Sequence, residues 1–164
     1  MKLIIVSDSH GREANLREVF SMHRTADMFV HLGDGIREFE ALQSEYPNVM
    51  FEGVRGNCDI GLSISGSRFS RELAVISADG YRFIITHGNR QGVEWGTERL
   101  WYTAKENKCD AVLFGHTHER LCRHEDGIYL FNPGSVSRPR DGLPPSFGVI
   151  ETSPGGILCS HGQI

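Results

Sequence analysis

Seven side chains that can coordinate a divalent cation stand in five short motifs along this chain. In chain order the motifs are Asp8-Ser9-His10, Gly33-Asp34, Gly56-Asn57, His87-Gly88 and Gly115-His116-Thr117-His118. Imidazole nitrogen combined with carboxylate or amide oxygen suits manganese, iron, nickel or zinc better than calcium, which prefers oxygen alone. These residue types therefore predict a centre that holds transition-metal cations.

In two of the motifs the candidate ligands are two residues apart, as in Asp8 and His10 or His116 and His118. Residues i and i+2 of an extended segment project to the same side, so each pair can converge on one cation. The Asp34 carboxylate has two oxygens, which would allow it to bridge two cations. Any one motif alone has a simpler explanation, such as a turn or a hydrogen-bonded histidine. Their combination does not, because each buried neutral polar group without a partner would cost about 1–3 kcal/mol.

The motifs follow apolar runs that predict alternating strands and helices in the first half of the chain. The predicted strands there are 3–6, 28–32 and 49–54. Between them, apolar residues repeat at helical spacing over 16–23 and again from residue 36. The second of these helices is predicted to end near Tyr46, because Pro47 blocks its continuation.

The second half of the chain predicts hairpins instead. Asp79-Gly80 and Asp126-Gly127 separate pairs of apolar runs and suit tight turns with positive φ, and Pro154-Gly155-Gly156 marks a third hairpin. A helix is predicted over 94–107, ahead of a buried strand at 111–114. Parallel units followed by hairpins predict an α/β (α+β) fold in which two mixed sheets face each other with helices outside.

The composition is that of an ordinary globular protein, with 39% hydrophobic and 23% charged residues in 164 positions, which predicts one domain over 1–164. The net charge of -4 supplies no basic field, so a general nucleic-acid binder is not expected. The N-terminal apolar run is too short for a secretory signal or a spanning helix, which predicts a cytoplasmic protein without a membrane segment. Four cysteines without a C-x-x-C pair are predicted to be reduced thiols, and all but Cys58 to be buried.

The five motifs, in this order, resemble those of the calcineurin-like metallophosphoesterase superfamily, and the resemblance extends from Met1 to about Ser137. Asp8-Ser9-His10-Gly11, Gly56-Asn57-Cys58-Asp59 and Asn132-Pro133-Gly134-Ser135 look most like the compact bacterial and archaeal phosphodiesterases of the YfcE type. The resemblance implies a four-layer sandwich of two mixed sheets between helices. It also implies a hydrolase that cleaves a phosphate ester with two divalent cations, manganese first and iron, nickel or zinc as alternatives.

The resemblance assigns ligands residue by residue. One cation would be held by Asp8, His10, Asp34 and His118, and the other by Asp34, Asn57, His87 and His116. Two cations about 3.5–4 Å apart would bind a bridging water and lower its pKa for in-line attack on the phosphate. The residues expected to take part in catalysis are Asp34, Asn57, Cys58 and His87.

Cys58 departs from many members of the superfamily, which have at this position a histidine thought to protonate the leaving oxygen. A thiol, with a reference pKa of about 8.5, is a weaker general acid at neutral pH than imidazole, so slow turnover of esters with poor leaving groups is expected. The YfcE-type proteins resemble this chain in carrying cysteine there, which supports the subgroup.

Other polar residues near the motifs have two interpretations each. Asp59 either orients a ligand histidine or forms a turn, and Arg138-Pro139-Arg140 either contacts substrate or serves solubility. The segments 61–71 and 88–96 are the loops predicted to read the substrate. Asn132, Gly134 and Ser135 are expected to shape the wall of the site.

The motifs leave other functions open. The same chemistry serves a phosphomonoesterase or a nuclease, and the retromer subunit built on this fold is a scaffold that lacks part of the histidine set. Every expected ligand is present here, which favours an enzyme with a small phosphodiester substrate. Trp95 and Trp101, predicted on one short helix, belong either to the core or to the interface of a homo-oligomer.

Overall fold

The computed structural model describes residues 1–60 and 66–164, and in that part of the chain it has ten strands and three α-helices. The strands are β1 (Lys2–Val6), β2 (Met28–His31), β3 (Met50–Gly53), β4 (Leu73–Ala78), β5 (Tyr81–Thr86), β6 (Ala111–Phe114), β7 (Arg120–Glu125), β8 (Ile128–Pro133), β9 (Ser146–Ser153) and β10 (Gly156–Gln163). The α-helices are α1 (Glu13–Met22), α2 (Ile36–Leu42) and α3 (Glu98–Glu106), with 3-10 turns at Gln43–Glu45 and Asn89–Gln91.

The strands form two five-stranded sheets. The first has the order β10-β9-β1-β2-β3 and the second the order β4-β5-β6-β8-β7. In the first sheet β1, β2 and β3 are parallel, whereas β9 is antiparallel to both of its neighbours, β1 and β10. In the second sheet β5, β6 and β8 are parallel. The edge strand β4 forms an antiparallel hairpin with β5, and the other edge strand, β7, forms one with β8. Both sheets are therefore mixed, as the sequence predicts.

The two sheets pack face to face, with helices on both outer faces. Apolar side chains from both sheets, such as Ile5 and Leu113, fill the layer between them. On the outer face of the first sheet α1 and α2 bury Phe20 and Phe39, and on that of the second sheet α3 buries Leu100. This confirms the predicted four-layer sandwich, because each sheet has one face on the other sheet and one on helices.

The predicted Asp-Gly hairpin turns are confirmed. Asp79 and Gly80 have φ of 48° and 86°, and Asp126 and Gly127 have φ of 49° and 80°. Both turn residues therefore lie in the left-handed region, which the tightest hairpin turns require.

The helix predicted over 94–107 begins later, because α3 starts at Glu98. A 3-10 turn and two glycines with positive φ, Gly92 at 69° and Gly96 at 151°, keep the preceding segment out of helical geometry. Trp95 consequently lies outside the helix and is 92% exposed, so its placement on one helix with Trp101 was wrong.

The predicted burial of three cysteines is correct only for Cys109. Cys122 is exposed because it stands on β7, the edge strand of the second sheet, and Cys159 is half-buried on β10. Among the helices of the described chain, none has the length and hydropathy that crossing a bilayer would need.

Candidate metal centre

The seven predicted ligands lie on the loops that follow the carboxyl ends of five parallel strands. Asp8 and His10 follow β1, Asp34 follows β2 and Asn57 follows β3, all in the first sheet. His87, His116 and His118 follow the second sheet's β5 and β6. Because the carboxyl ends of parallel strands share one edge of a sheet, stacking the two sheets brings all seven side chains together.

Glycines in the motifs allow these loops to approach closely. A Cβ added to Gly56 would overlap the Asp34 carboxylate, and one added to Gly115 would overlap the Ser7 hydroxyl. Side chains at these two positions would therefore push apart the loops of β2 and β3, which are neighbours in the first sheet, and the loops of β1 and β6, which belong to different sheets.

One group of ligand atoms surrounds the side chain of His118. Its Nε2 atom lies 3.2 Å from Asp8 Oδ1 and 3.3 Å from His10 Nε2. His10 Nε2 is in turn 3.9 Å from Asp34 Oδ2. The candidate donor atoms of Asp8, His10 and His118 all lie within 4.8 Å of one another, close enough to share one cation.

A second group surrounds the side chain of His87. Its Nε2 atom lies 3.1 Å from Asn57 Oδ1, 3.2 Å from His116 Nδ1 and 3.5 Å from Asp34 Oδ2. The same Asp34 oxygen thus faces both groups, which is the geometry that a bridging carboxylate needs.

Hydrogen bonds to backbone carbonyls determine which ring nitrogens of His87 and His118 face the centre. His87 Nδ1 lies 2.8 Å from the carbonyl oxygen of Leu32, and His118 Nδ1 lies 2.6 Å from that of Arg138. A carbonyl oxygen only accepts, so each Nδ1 carries the proton and donates it. In a neutral imidazole the Nε2 atom, which points into the centre, then carries no proton. Its lone pair faces other hydrogen-bond acceptors.

These inward acceptors fit a cation. Asp8 Oδ1 is buried and makes no hydrogen bond within the described chain, although His118 Nε2 lies beside it. Two lone pairs at such a distance repel unless a proton or a metal ion lies between them. A divalent cation satisfies several of these lone pairs at once, and the imidazole, carboxylate and amide donors suit a transition metal.

The electrostatics of the site also favour positive charge. Burial lowers the pKa of His87, but Asp34 and Asp8 outweigh it and leave that pKa above its ordinary value. His118 has a raised pKa for the same reason, since Asp8 outweighs its burial. Conversely, burial raises the pKa of Asp34, yet the neighbouring His87 holds it well below the ordinary range. Burial also raises the pKa of Asp8, but His118 and His87 outweigh it and leave that pKa below its ordinary value. The two aspartates are therefore ionised, and their field attracts protons and metal ions alike.

Glu94 is a site residue that the sequence reasoning missed. Its carboxylate is hydrogen-bonded to His116 Nε2, on the opposite side of the ring from the nitrogen that faces His87. This contact leaves His116 Nδ1 free as a ligand atom. The predicted loop 88–96 contains Glu94, and only its place after His87-Gly88 could have singled the residue out.

Asp59 holds the loop that carries Asp34. Its two carboxylate oxygens accept hydrogen bonds from the backbone N–H groups of Asp34, Gly35, Ile36 and Gly56, at 2.6–3.1 Å. Of the two predicted roles the turn-forming one is closer, because Asp59 organises backbone and makes no hydrogen bond to a histidine within residues 1–60 and 66–164.

The expected wall residues also act through the backbone. Buried Asn132 donates to the Gly115 carbonyl at 2.9 Å, and the Ser135 hydroxyl donates to the Asp8 carbonyl at 2.9 Å. Both contacts hold the backbone of loops that carry candidate ligands, so the segment from Asn132 to Ser135 stabilises the position of those loops.

Cys58 is exposed beside the centre, and its backbone N–H donates to Asp34 Oδ1 at 2.7 Å. Burial of the sulfur and the nearby Asp34 carboxylate raise the pKa of the Cys58 thiol to about 11. In the metal-free site the side chain is therefore a protonated thiol at neutral pH and a weak hydrogen-bond donor, and its sulfur lies close enough to His10 and Asp34 to share a cation with them.

Two clefts open from the centre and share His10, Asp34 and Cys58. One, of about 370 Å³, continues past His116 and His118 to Arg138, Pro139 and Arg140. The other, of about 230 Å³, is lined further out by Gly11, Gly35, Arg37, Glu38, Asp59 and Ile60. Of the predicted loop 61–71, residues 61–65 lie outside the described part of the chain.

The fold and this centre together define a metal-dependent phosphoesterase. Residues 1–155 match the family model of the calcineurin-like phosphoesterase superfamily domain. The chain belongs to this superfamily.

Particular relatives support the same class. The chain is 30% identical over 152 residues to the probable metallophosphoesterase YsnB of Bacillus subtilis, an alignment that covers 92% of this chain and 83% of the relative. It is 29% identical over 180 residues to the phosphodiesterase YfcE of Escherichia coli, covering 99% and 94%. The predicted resemblance to this superfamily and its YfcE-type members is confirmed.

A structural likeness also extends to proteins named Vps29. Vps29 of Entamoeba histolytica, solved in complex with zinc, superposes with a TM-score of 0.71 over 98% of both chains, at 21% identity. Such a likeness shows the fold alone.

Proposed function

We propose that this chain is a phosphodiesterase that uses two divalent cations, manganese by preference, to cleave a small phosphodiester. The observation that carries the proposal is the pair of ligand groups joined by one Asp34 oxygen, each built of acceptors that face one another. Asp8, His10, Asp34 and His118 would hold one cation, and Asp34, Asn57, His87 and His116 the other.

When bound, such a pair of cations supplies Lewis acidity and an attacking water of lowered pKa. The protein's own residues do the positioning. Asp34 and Asn57 enter from the first sheet and His87 from the second, so the substrate phosphate is held at the junction of the two sheets. The Cys58 side chain lines both clefts beside the centre, where a thiol can donate a weak hydrogen bond to the leaving oxygen.

A diester, in preference to a monoester, is supported by the two clefts that meet at the centre. A phosphodiester has two organic substituents, and each cleft offers room for one of them. The relative YfcE is itself named a phosphodiesterase. The scaffold alternative rests on fold likeness alone, whereas all seven predicted ligands converge in this chain.

The test is hydrolysis of bis(p-nitrophenyl) phosphate and of p-nitrophenyl phosphate by chelator-stripped protein, with and without added manganese. We expect manganese-dependent cleavage, faster for the diester, that disappears in Asp34→Ala because both cations lose a ligand. Glu18→Ala, which removes the same charge from the exposed surface of α1, is the matched control. Folded protein that binds manganese yet cleaves neither ester would reject the enzyme and favour the scaffold.

A further inference from the structure

Two arginines stand on one wall of the larger cleft. Arg138 and Arg140 flank Pro139 and line the cleft together with His116 and His118. The proposed function does not specify the two substituents of the diester. The charge of this wall constrains the charge of one of them.

The backbone that carries the two arginines is tied to a metal ligand. His118 Nδ1 donates to the carbonyl oxygen of Arg138 at 2.6 Å, and the Arg140 N–H donates to the carbonyl oxygen of His118 at 3.0 Å. The Arg138 N–H also donates to Ser135 Oγ at 2.8 Å, and Pro139 restricts the backbone between the arginines. The backbone from which the two arginine side chains extend is therefore held beside the centre.

The charges on this wall are not neutralised by ion pairs in the part of the chain that the structure describes. Arg120, the first residue of β7, donates hydrogen bonds from two guanidinium nitrogens to the carboxylate of Asp141, at 2.7 and 3.0 Å. Arg138 and Arg140 have no carboxylate within 4.0 Å in residues 1–60 and 66–164. Asp141, the acidic residue next to Arg140 in the chain, is already engaged by Arg120. The cleft thus presents two guanidinium groups that are available to an anion.

The scissile phosphate does not require these charges. Two divalent cations, opposed by the carboxylates of Asp8 and Asp34, already neutralise the single negative charge of a diester. The smaller cleft differs, because Arg37 there is accompanied by Glu38, Asp59 and the apolar Ile60. The two clefts therefore suit substituents of different charge.

We infer that the substrate is a phosphodiester with one substituent that bears a further phosphate group, which Arg138 and Arg140 bind. The other, uncharged substituent lies in the smaller cleft. A guanidinium group donates two parallel hydrogen bonds to a phosphate, so a pair of them recognises a terminal phosphate strongly. The inference rests on the proposed function, since it assigns one cleft of the same centre.

The test compares two p-nitrophenyl phosphodiesters that share the leaving group and differ only at the end of an alkyl arm, which bears either a hydroxyl or a phosphate. With manganese-loaded protein we expect kcat/KM to be about tenfold higher for the phosphorylated diester, mainly through a lower KM. The preference should shrink as ionic strength rises, because exposed charges are screened.

The double variant Arg138→Gln/Arg140→Gln should remove most of that preference. Arg24→Gln/Arg82→Gln, which removes the same charge from exposed positions outside the cleft, should keep it. Equal kcat/KM for both diesters, or a preference that survives in the Arg138/Arg140 variant, would overturn the inference. Failure of the wild-type protein to cleave either diester would instead count against the proposed function.

Discussion

The orientation of each histidine ring decides which of its nitrogens can bind a cation. For His87 and His118 the outer nitrogen donates to a backbone carbonyl, that of Leu32 and of Arg138. For His116 the outer nitrogen is held by a side chain, that of Glu94. Substitution of Glu94 can therefore remove the outer contact of His116. The outer contacts of His87 and His118 are made by backbone carbonyls, which a substitution does not remove.

We predict that Glu94→Ala weakens the binding of one manganese ion about 10- to 100-fold and leaves the other ion largely unaffected, because only His116 loses its orienting partner. Titration calorimetry with manganese on chelator-stripped protein measures both affinities. Glu94→Gln should be intermediate, since its amide oxygen can still accept the His116 hydrogen bond.

Glu119→Ala serves as the control for Glu94. It removes an acidic side chain next to His118 whose carboxylate makes no hydrogen bond or ion pair within the described chain. If Glu94→Ala bound both ions as tightly as this control, Glu94 would be no more than a surface acid. The absorption spectrum of cobalt-substituted protein, which reports ligand geometry, should change in Glu94→Ala alone.

The sequence could predict which candidate ligands lie together but not the residues that orient them. Asp8, His10 and the other ligands stand in motifs of fixed spacing, and the structure brings all seven together. Glu94 belongs to no motif, and it meets His116 only because the loop after β5 folds over the centre. Contacts between a loop and a distant strand end carry no local sequence pattern.

The loops between the strands hold several ligands in an uncommon backbone conformation. Five of the seven ligands have positive φ, namely Asp8 at 57°, His10 at 44°, Asp34 at 60°, His116 at 71° and His118 at 60°. Residues with a Cβ adopt this region rarely, at a cost of order 1–3 kcal/mol each. The surrounding hydrogen bonds must compensate for this strain.

Asp59 supplies that compensation for the loop of Asp34, and Asp59→Asn tests it. An amide would keep one acceptor oxygen and place its NH₂ group against two backbone N–H donors. We expect this substitution to lower the free energy of unfolding by about 1–3 kcal/mol in chelator, as measured by urea denaturation. The manganese affinity of both sites should also fall, because Asp34 belongs to each.

Asp27→Asn is the matched control for this element, since the Asp27 carboxylate accepts one backbone hydrogen bond, from Lys2, far from the centre. Wild-type stability and metal affinity in Asp59→Asn would show that the loop holds its conformation without the carboxylate. Unlike the strands, this conformation could not be predicted, because positive φ at Asp34 has no sequence signal beyond the adjacent glycines.

The elements themselves were largely predictable, and the exception has a physical cause. Apolar runs predicted β1, β2 and β6, and the two Asp-Gly turns predicted their hairpins. The start of α3 was wrong because the pattern from residue 94 includes Gly96, whose φ of 151° is incompatible with a helix. Apolar spacing alone does not reveal where a glycine leaves helical geometry.

At the scale of the whole molecule, the centre exists only when the two sheets are stacked. Asp8 and Asp34 come from the first sheet, and His87 and His118 come from the second. Folding therefore forces carboxylates against the acceptor sides of imidazoles, with Asp8 Oδ1 buried and without a hydrogen bond in the described chain. Without a cation this arrangement costs stability, and binding a cation to the folded state returns it.

Asp8→Asn separates these two contributions, and we predict that it changes them in opposite directions. The amide oxygen can still accept from the His116 N–H, as Asp8 Oδ2 does at 3.1 Å, while the amide NH₂ can donate to His118 Nε2. In chelator, at a pH well above the imidazole range, the variant should be more stable than wild type by about 0.5–1.5 kcal/mol, or some 1–6 °C in Tm. Saturating manganese should raise Tm strongly in wild type, by an amount equivalent to ~2.7 kcal/mol for each site at a hundredfold excess over Kd, and much less in the variant. Differential scanning calorimetry in chelator and in manganese gives both values. A variant that is less stable than wild type in chelator would mean that Asp8 is satisfied without a cation, and the acceptor cluster would no longer argue for a metal centre.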